Sequence, residues 1–320
     1  MNNSQVAVVI PCHNEAPTIA QVVRDFADAL PGCLVVVVDN ASTDDTAQRA
    51  RDAGAEVLHE PRPGKGNAVR RLFADVDADC YVMVDGDSTY EAAAAPQLVS
   101  QVLDHGVDMV VGARVTPPEV VQAYRAGHRF GNWLLTWVFQ RLFLLRIDDT
   151  LSGYRAFSAR FVKTFPSMAT GFEIEAELNA HAASTGVSYA EVRTAYAARP
   201  EGSESKLSTI RDGVRILRRN LRLFRDWRPL LSFTALAVPW VLVAAVLLVP
   251  VLTEYLRIGL VPRFPSLIAS VGCFLVALNL IVSGTVLERV TRNRIEVVRL
   301  AYLALPGPRR RSASEHAVAG

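Results

Sequence analysis

The sequence predicts an α/β protein: a doubly wound, mostly parallel sheet, followed by interfacial helices and a two-helix transmembrane hairpin. Three observations predict it. Short, continuously apolar, β-forming runs alternate with amphipathic helical segments over the first part of the chain, as in a parallel sheet covered on both faces. Carboxylates and other polar residues gather just past those runs, where ligands sit in open α/β sheets. Near the C-terminus, two stretches run for more than about 20 positions without a charge, the length that crosses a bilayer core.

The elements follow in order. "QVAVVIP" (5–11) reads as a strand and "APTIAQVVRDFADAL" (16–30) as an amphipathic helix. "LVVVVD" (34–39) is a strand and "STDDTAQRARDAG" (42–54) a helix, with Ser42 or Thr43 as cap and Asp44 and Asp45 in the first turn. "AEVLHE" (55–60) is a short strand, and "GKGNAVRRLFADV" (64–76) opens a third helix. Tyr81, Val82, Met83 and Val84 form a strand too short for a helix, and "DMVVGAR" (108–114) forms another. "LLSFTALAVPWVLVAAVLLVPVL" (230–252) and "SLIASVGCFLVALNLIVSGTVL" (266–287) are the two membrane spans. Pro239 and Pro250 fall within the first, which lipid-embedded helices tolerate.

Charge sets the expected orientation. Residues 211–228 are crowded with arginine, and Arg289, Arg292, Arg294, Arg299 and 309–311 follow the second span. The connection between the spans carries only Arg257 and Arg263. The positive-inside rule puts both ends and the α/β part in the cytoplasm of a membrane-embedded protein, a bacterial inner membrane being the natural setting. The arginine-rich segment reads as an interfacial helix against anionic headgroups, or as a solvated helix face. The domains are then 1–206 (catalytic), 207–229 (basic juxtamembrane), 230–288 (the spans) and 289–320 (a basic tail, partly disordered). Two spans per subunit allow a homo-oligomer, since helices in lipid seek partners. A net charge of +2 argues against a nucleic-acid protein. Cys12, Cys33, Cys80 and Cys273 have no zinc or disulfide spacing and read as reduced, mostly buried thiols. No signal peptide is visible at the N-terminus.

The chemistry sits at the strand ends. Pro11, His13, Asn14 and Glu15 follow the first strand, and Asp39 and Asn40 end the second. Lys65 lies between two glycines at a helix start, which suits a phosphate or an acidic neighbour. Asp85 and Asp87 flank Gly86. Such close like charges need a cation or a proton between them, and a hard divalent ion would serve while leaving positions for phosphate oxygens. Two aspartates around a glycine also suit a plain turn. Neither GxxxxGK[ST] nor GxGxxG is present, so neither a P-loop nor a dinucleotide enzyme is supported.

The segments "VVIPCHNE", "VVVVDNASTDDT", "GKGNAVR", "DGD" and "MVVGAR", in this order and spacing, resemble the family 2 glycosyltransferases. "DDTLSGYRAFS" (148–158) and "RPEGSESKLS" (199–208) narrow the resemblance to polyprenyl-phosphate glycosyltransferases, the group with dolichyl-phosphate mannose synthases and bactoprenol glucosyltransferases. It covers about residues 5–210. It implies a GT-A-like fold and a metal-dependent, inverting transfer of one hexose from a UDP- or GDP-sugar to polyprenyl phosphate. It also implies that Asp39 contacts the base and that Pro11, Asn14 and Glu15 line the nucleoside pocket, beside Lys65, Asp85 and Gly86 in the donor site. Asp85 and Asp87 would hold Mg²⁺ or Mn²⁺, and Arg114 would face the phosphates. Asp149 is the candidate base or acceptor-orienting carboxylate, with Asp148 its neighbour. Arg129 opens an apolar, tryptophan-bearing stretch suited to the interface and would meet the lipid phosphate, with Arg199, Ser203, Ser205 and Lys206 closing as a mobile loop. Two features depart from the pattern. Thr89 stands where an amide often follows the metal aspartates, and the QxxRW motif of polymerising synthases is missing. The alternatives are a family 2 enzyme with another lipid or glycan acceptor, and a non-catalytic scaffold of the same fold.

Overall fold

A computed structural model describes residues 5–115, 149–171, 173–197 and 224–307. Contacts divide these into two compact units: the α/β part together with the stretch from Val298 on, and the segment that ends at Val297.

The α/β unit alternates as expected. Strands β1 (Val6–Cys12), β2 (Leu34–Asp39), β3 (Glu56–His59) and β4 (Cys80–Met83) are separated by helices α1 (Ile19–Ala29), α2 (Thr46–Asp52) and α3 (Lys65–Asp75). After α4 (Ala95–Leu103) come β5 (Met109–Val115), β6 (Arg155–Ser158), α5 (Ala159–Thr164), α6 (Ile174–Thr185) and β7 (Tyr189–Ala195). The strands of the described residues form one sheet in the order β3-β2-β1-β4-β6-β5-β7. All pairs are parallel except those of β6, which runs antiparallel to both β4 and β5.

The core explains the apolar runs. Val8 and Ile10 face Ile19, Val22, Val23 and Phe26 of α1 in one cluster with Val35, Val37, Val82 and Val84. Residues of the opposite parity, Val9, Val36, Val38, Tyr81 and Met83, are also buried, so both sheet faces are covered. Each such aliphatic side chain contributes about 1.5–3 kcal/mol by leaving water. Pro31, which cannot continue a helix, and Gly32 at φ 81° end α1.

Helix α2 starts later than the capping residues suggested. Thr46 opens it and Asp45 precedes it without a side-chain cap. Ser42 is engaged elsewhere: its Oγ accepts the Asn14 backbone N–H at 3.0 Å. Asp44 accepts the Ala16 N–H at 3.1 Å, and Thr46 Oγ1 accepts that of Glu15 at 2.8 Å. These groups tie the loop after β1 to the loop after β2.

At the opposite sheet edge, Asp108 gathers donors. Its carboxylate accepts from Ser158 Oγ (2.8 Å), Arg160 Nε (2.8 Å), Ser188 Oγ (3.0 Å) and Tyr302 Oη (2.8 Å). The last partner comes from the stretch after Val298, so Tyr302 brings the end of the second long helix onto the α/β unit.

The second unit contains α7 (Pro229–Ile258) and most of α8 (Phe264–Ala304), both long and apolar enough to cross a membrane. Helix α8 continues well past residue 287, where the second span was expected to end. Gly259, left-handed at φ 69°, ends α7. The helices bury small residues at seven-residue intervals: Ala237, Ala244 and Val251 on α7, and Ser270, Ala277 and Gly284 on α8. That spacing keeps one seam facing the partner helix. The Ser270 hydroxyl donates to the Ala244 carbonyl at 2.9 Å. Large side chains such as Leu242, Val246, Leu256, Phe274 and Leu275 point outward.

Candidate active site

The antiparallel β6 determines which loops meet. Because β5 and β7 run parallel to β4, Arg114 and Tyr196 emerge at the same sheet edge as Asp39 and Asp85. Because β6 is reversed, the residues that precede it, 149–153, lie at that edge too. Three non-glycine residues there have left-handed backbones: Asn14 (φ 53°), Ala41 (φ 54°) and Ser88 (φ 58°), one after each of β1, β2 and β4. Strained backbone of this kind clusters at functional sites.

A cleft opens among these loops, lined by Pro11, Cys12, His13, Glu15, Asn40, Pro63, Gly64, Lys65, Ala68, Asp85 and Gly86. Of the residues expected in the donor site, Pro11, Glu15, Lys65, Asp85 and Gly86 line it. Asn14 does not; its Oδ1 accepts the Thr43 N–H at 2.8 Å, holding the two loops together. Asp39 is buried beside the cleft, with Oδ1 accepting from Ser42 N (3.2 Å) and Oδ2 at 3.2 Å from His59 Nδ1. Asn40 organises the opposite wall: its Nδ2 donates to the Arg62 carbonyl (2.7 Å) and its Oδ1 accepts the Gly64 N–H (2.7 Å). His13 Nδ1 donates to the Asn40 carbonyl at 2.8 Å.

The "GKG" glycines are needed for packing. A Cβ at Gly64 or Gly66 would overlap the backbone of Thr170 or Ala169. The close approach delivers Lys65 into the cleft, where its Nζ lies 2.6 Å from Asp85 Oδ1 and 2.6 Å from Glu175 Oε1. Burial acts to lower the pKa of this ammonium, but the two carboxylates outweigh it and raise it. Lys65, whose setting suits a phosphate or an acidic neighbour, has two carboxylate neighbours in this structure. Glu175, from α6, carried no motif that could have revealed it.

The DGD turn is similarly fixed. Gly86 packs on Cys12, whose Sγ would lie 2.6 Å from an added Cβ, and its carbonyl accepts the Thr18 hydroxyl at 2.6 Å. Asp87 is buried, and its Oδ1 accepts the Thr89 hydroxyl at 2.6 Å. Thr89 thus orients Asp87. Gly153, in "SGYR", abuts the Asp85 carboxylate so closely that any side chain there would overlap it. Cys12 sits amid Glu15, Asp85, Asp39 and Asp87; burial first, then these charges, drive its thiol pKa well up.

Asp85 opens to the cleft and already accepts one cation, the Lys65 ammonium, so its carboxylate is suited to a positive partner. Asp87, two residues on, is the second carboxylate a divalent ion would use. Among the described residues no cluster of three or more His, Cys, Asp or Glu could complete a metal site. Two carboxylates would leave the remaining positions to phosphate oxygens and water.

Arg114 and Asp149 pair directly, Nε to Oδ2 at 2.6 Å and Nη2 to Oδ1 at 2.8 Å. The Arg114 guanidinium also lies 5.3 Å from the Tyr196 ring centre. Burial pushes the Asp149 carboxyl up, but hydrogen bonds and charge from Arg114 outweigh it and hold its pKa below the usual range. Beneath this loop, Arg155 is fully buried. It donates to the carbonyls of Ser152 (2.9 Å) and Thr150 (3.1 Å) and to Asn179 Oδ1, while Asn179 Nδ2 also reaches the Thr150 carbonyl (2.8 Å). Arg155 and Asn179 went unnoticed in the sequence; a charged residue within an otherwise apolar strand was the available signal. Asp148, Arg129, Arg199, Ser203, Ser205 and Lys206 lie outside the described residues.

Known proteins share the fold that carries this cleft. The family model described as glycosyl transferase family 2 matches residues 7–165. Glycosyltransferase AglJ of Haloferax volcanii is 37% identical over 232 residues, covering 71% of this chain and 75% of that protein. The dolichyl-phosphate hexose transferase of the same organism is 30% identical over 212 residues, covering 66% and 90%. Among solved structures, glucosyl-3-phosphoglycerate synthase from Mycobacterium tuberculosis, in complex with Mn²⁺, UDP and glucosyl-3-phosphoglycerate, superposes with a TM-score of 0.51. It is 26% identical, with 68% of this chain and 80% of that one covered. A GT-A-like sheet with its cleft at the strand ends, and relatives that are hexosyltransferases, lead to one conclusion: the chain belongs to glycosyl transferase family 2 and is a hexosyltransferase.

Proposed function

We propose that the protein moves a single hexose from a UDP- or GDP-sugar to a polyprenyl phosphate such as undecaprenyl or dolichyl phosphate, with inversion at the anomeric carbon. One observation carries this reading: a carboxylate-rich cleft of the sugar-transferase kind belongs to a chain whose C-terminal part is two long helices with outward apolar side chains. The relative named dolichyl-phosphate hexose transferase supports the acceptor, and the UDP complexes of the solved neighbour support the donor. The two helices anchor the enzyme in a bilayer, with the catalytic unit and both termini on the cytoplasmic side.

The donor lies across the strand ends, with its base against Asp39 and its diphosphate toward Lys65 and Asp85. Mg²⁺ or Mn²⁺, held by Asp85 and Asp87, would offset charge on the departing nucleotide diphosphate. Gly153, Thr18 and Thr89 keep the two carboxylates in place. The acceptor phosphate is already anionic, so it needs positioning more than deprotonation. Arg114 is suited to a phosphate oxygen because a guanidinium binds oxyanions with two prongs. Asp149 holds that guanidinium in orientation and, being firmly ionised, serves as an orienting group better than as a proton acceptor. Arg129, Arg199, Ser203, Ser205 and Lys206 are assigned to the acceptor phosphate on the family resemblance.

A panel of nucleotide-sugars offered with undecaprenyl phosphate and Mn²⁺, followed by mass analysis of the lipid, tests the proposal. One product heavier by a single hexose is expected. Sugar recovered only in another lipid or in a soluble glycan would overturn the acceptor assignment.

A further inference from the structure

We propose that Lys65 is the resident cation of the metal site: in the free enzyme its ammonium occupies Asp85, so a divalent ion enters only together with the donor diphosphate. This rests on the reading of Asp85 and Asp87 as the metal pair.

The argument starts from three groups. Lys65 Nζ lies 2.6 Å from Asp85 Oδ1 and equally close to Glu175 Oε1. The Lys65 and Glu175 side chains are only 10% and 6% exposed, whereas Asp85 is 28% exposed and opens to the cleft. A metal ion approaching Asp85 alone meets an ammonium on the same carboxylate, and like charges at such range repel strongly. Withdrawal of the ammonium into water is costly, because it would leave the buried Glu175 carboxylate without its hydrogen-bonded counterion, with only the buried Arg155 charge acting on it.

A diphosphate changes this balance. It gives the ammonium a second anionic partner in exchange for Asp85, while the bond to Glu175 stays. The flexible lysine stem permits the exchange; the planar fork of an arginine would not. Asp85 is then released to the metal ion, which neutralises the rest of the diphosphate. The diphosphate needs that ion in turn, because Glu15 and Asp85 line the cleft it enters, with Asp39 and Asp87 buried at the same edge. Metal and nucleotide therefore promote each other's binding, and the promotion is reciprocal. Glu175 emerges as a positioning residue: it keeps the ammonium in the site through the exchange.

Mn²⁺ binding to the full-length, detergent-solubilised protein, read from the electron paramagnetic resonance signal of free Mn²⁺ with and without UDP, tests this without any turnover. The parent should bind Mn²⁺ about tenfold or more tightly with UDP than without it. Lys65→Met should bind Mn²⁺ alone about tenfold more tightly than the parent, and its dependence on UDP should shrink. Glu175→Gln leaves the ammonium to Asp85 alone and should weaken binding of Mn²⁺ without UDP. If Lys65→Met does not fold, the double variant Lys65→Met/Glu175→Gln removes the buried pair together and carries the same expectation as Lys65→Met. Unchanged affinity for Mn²⁺ alone in the lysine variant, with UDP still promoting binding, would overturn the inference and leave the metal reading standing. If Asp85→Asn kept full Mn²⁺ binding in the presence of UDP, the metal reading itself would fall, and the inference with it.

Discussion

Arg114 and Asp149 form a two-pronged ion pair across 35 residues of chain, with Nε–Oδ2 at 2.6 Å and Nη2–Oδ1 at 2.8 Å. The Arg114 backbone N–H also donates to Asp149 Oδ2 at 3.2 Å. Three donors from one residue hold this carboxylate ionised. A folded pKa below the ordinary aspartate value means that the charge is present throughout the neutral range and is lost only as pH falls through the depressed pKa. Asp149 should therefore add no limb to the kcat/KM profile between about pH 5 and pH 9. Asp149→Asn should lower kcat on the order of 10²-fold by loosening Arg114, without moving any limb. An acidic limb that vanishes in Asp149→Asn would show instead that the residue takes up a proton during the reaction.

Gly153 should tolerate no side chain, because any Cβ would overlap the Asp85 carboxylate. Gly153→Ala is expected to displace Asp85 and cost on the order of 10²-fold in activity. The loss of thermal stability should be small, because the carboxylate can turn toward the open cleft. Activity titrated against Mn²⁺ checks this: a raised metal requirement is expected, and an unchanged one would disconnect Gly153 from the site.

His181 gives the fold an acid sensitivity. It is buried against Phe161 and Phe165, and burial lowers its pKa to about 4. The neutral imidazole is the form that folds, so stability is complete above the unfolded value of about 6.5 and falls as pH drops from there toward the folded value. About 2 kcal/mol should be lost between pH 8 and pH 5 from this residue. His181→Phe should flatten that dependence in thermal melts of the solubilised protein. An equally steep fall in the variant would place the sensitivity elsewhere.

The helical hairpin should fail at Gly284. A Cβ there would lie 2.8 Å from Phe233 Cβ and 3.2 Å from Leu230 Cα. Gly284→Leu should separate the helices and increase protease cleavage within 230–290, while nucleotide binding stays at the parental level. Parental resistance to protease would mean that the seam closes without Gly284.

Much of the site was legible because it follows strands that announce themselves. An apolar run ending in Asp85-Gly86-Asp87, or in Asp39, places those carboxylates at a sheet edge by local chemistry alone. The glycines of "GKG" and "SGYR" were visible as motifs, but their purpose was not. What each glycine accommodates, Thr170 and Ala169 in one case and Asp85 in the other, belongs to a distant part of the chain. Ser42 shows the opposite failure. Its position before a helix suggested a cap, yet its hydroxyl serves Asn14, a competitor that helix propensities do not register.

By itself the sequence determined the alternation of strands and helices, the edge at which the carboxylates gather, and the two uncharged spans. Each of these depends on side chains close together along the chain, where hydrophobic period and turn chemistry act. Only the tertiary structure decided the reversal of β6, the burial of Arg155 under the Asp149 loop, and the meeting of Lys65 with Glu175 across 110 residues. Those partnerships arise from which strands lie side by side in the sheet, and no local pattern of residues encodes a neighbour brought in by a crossover.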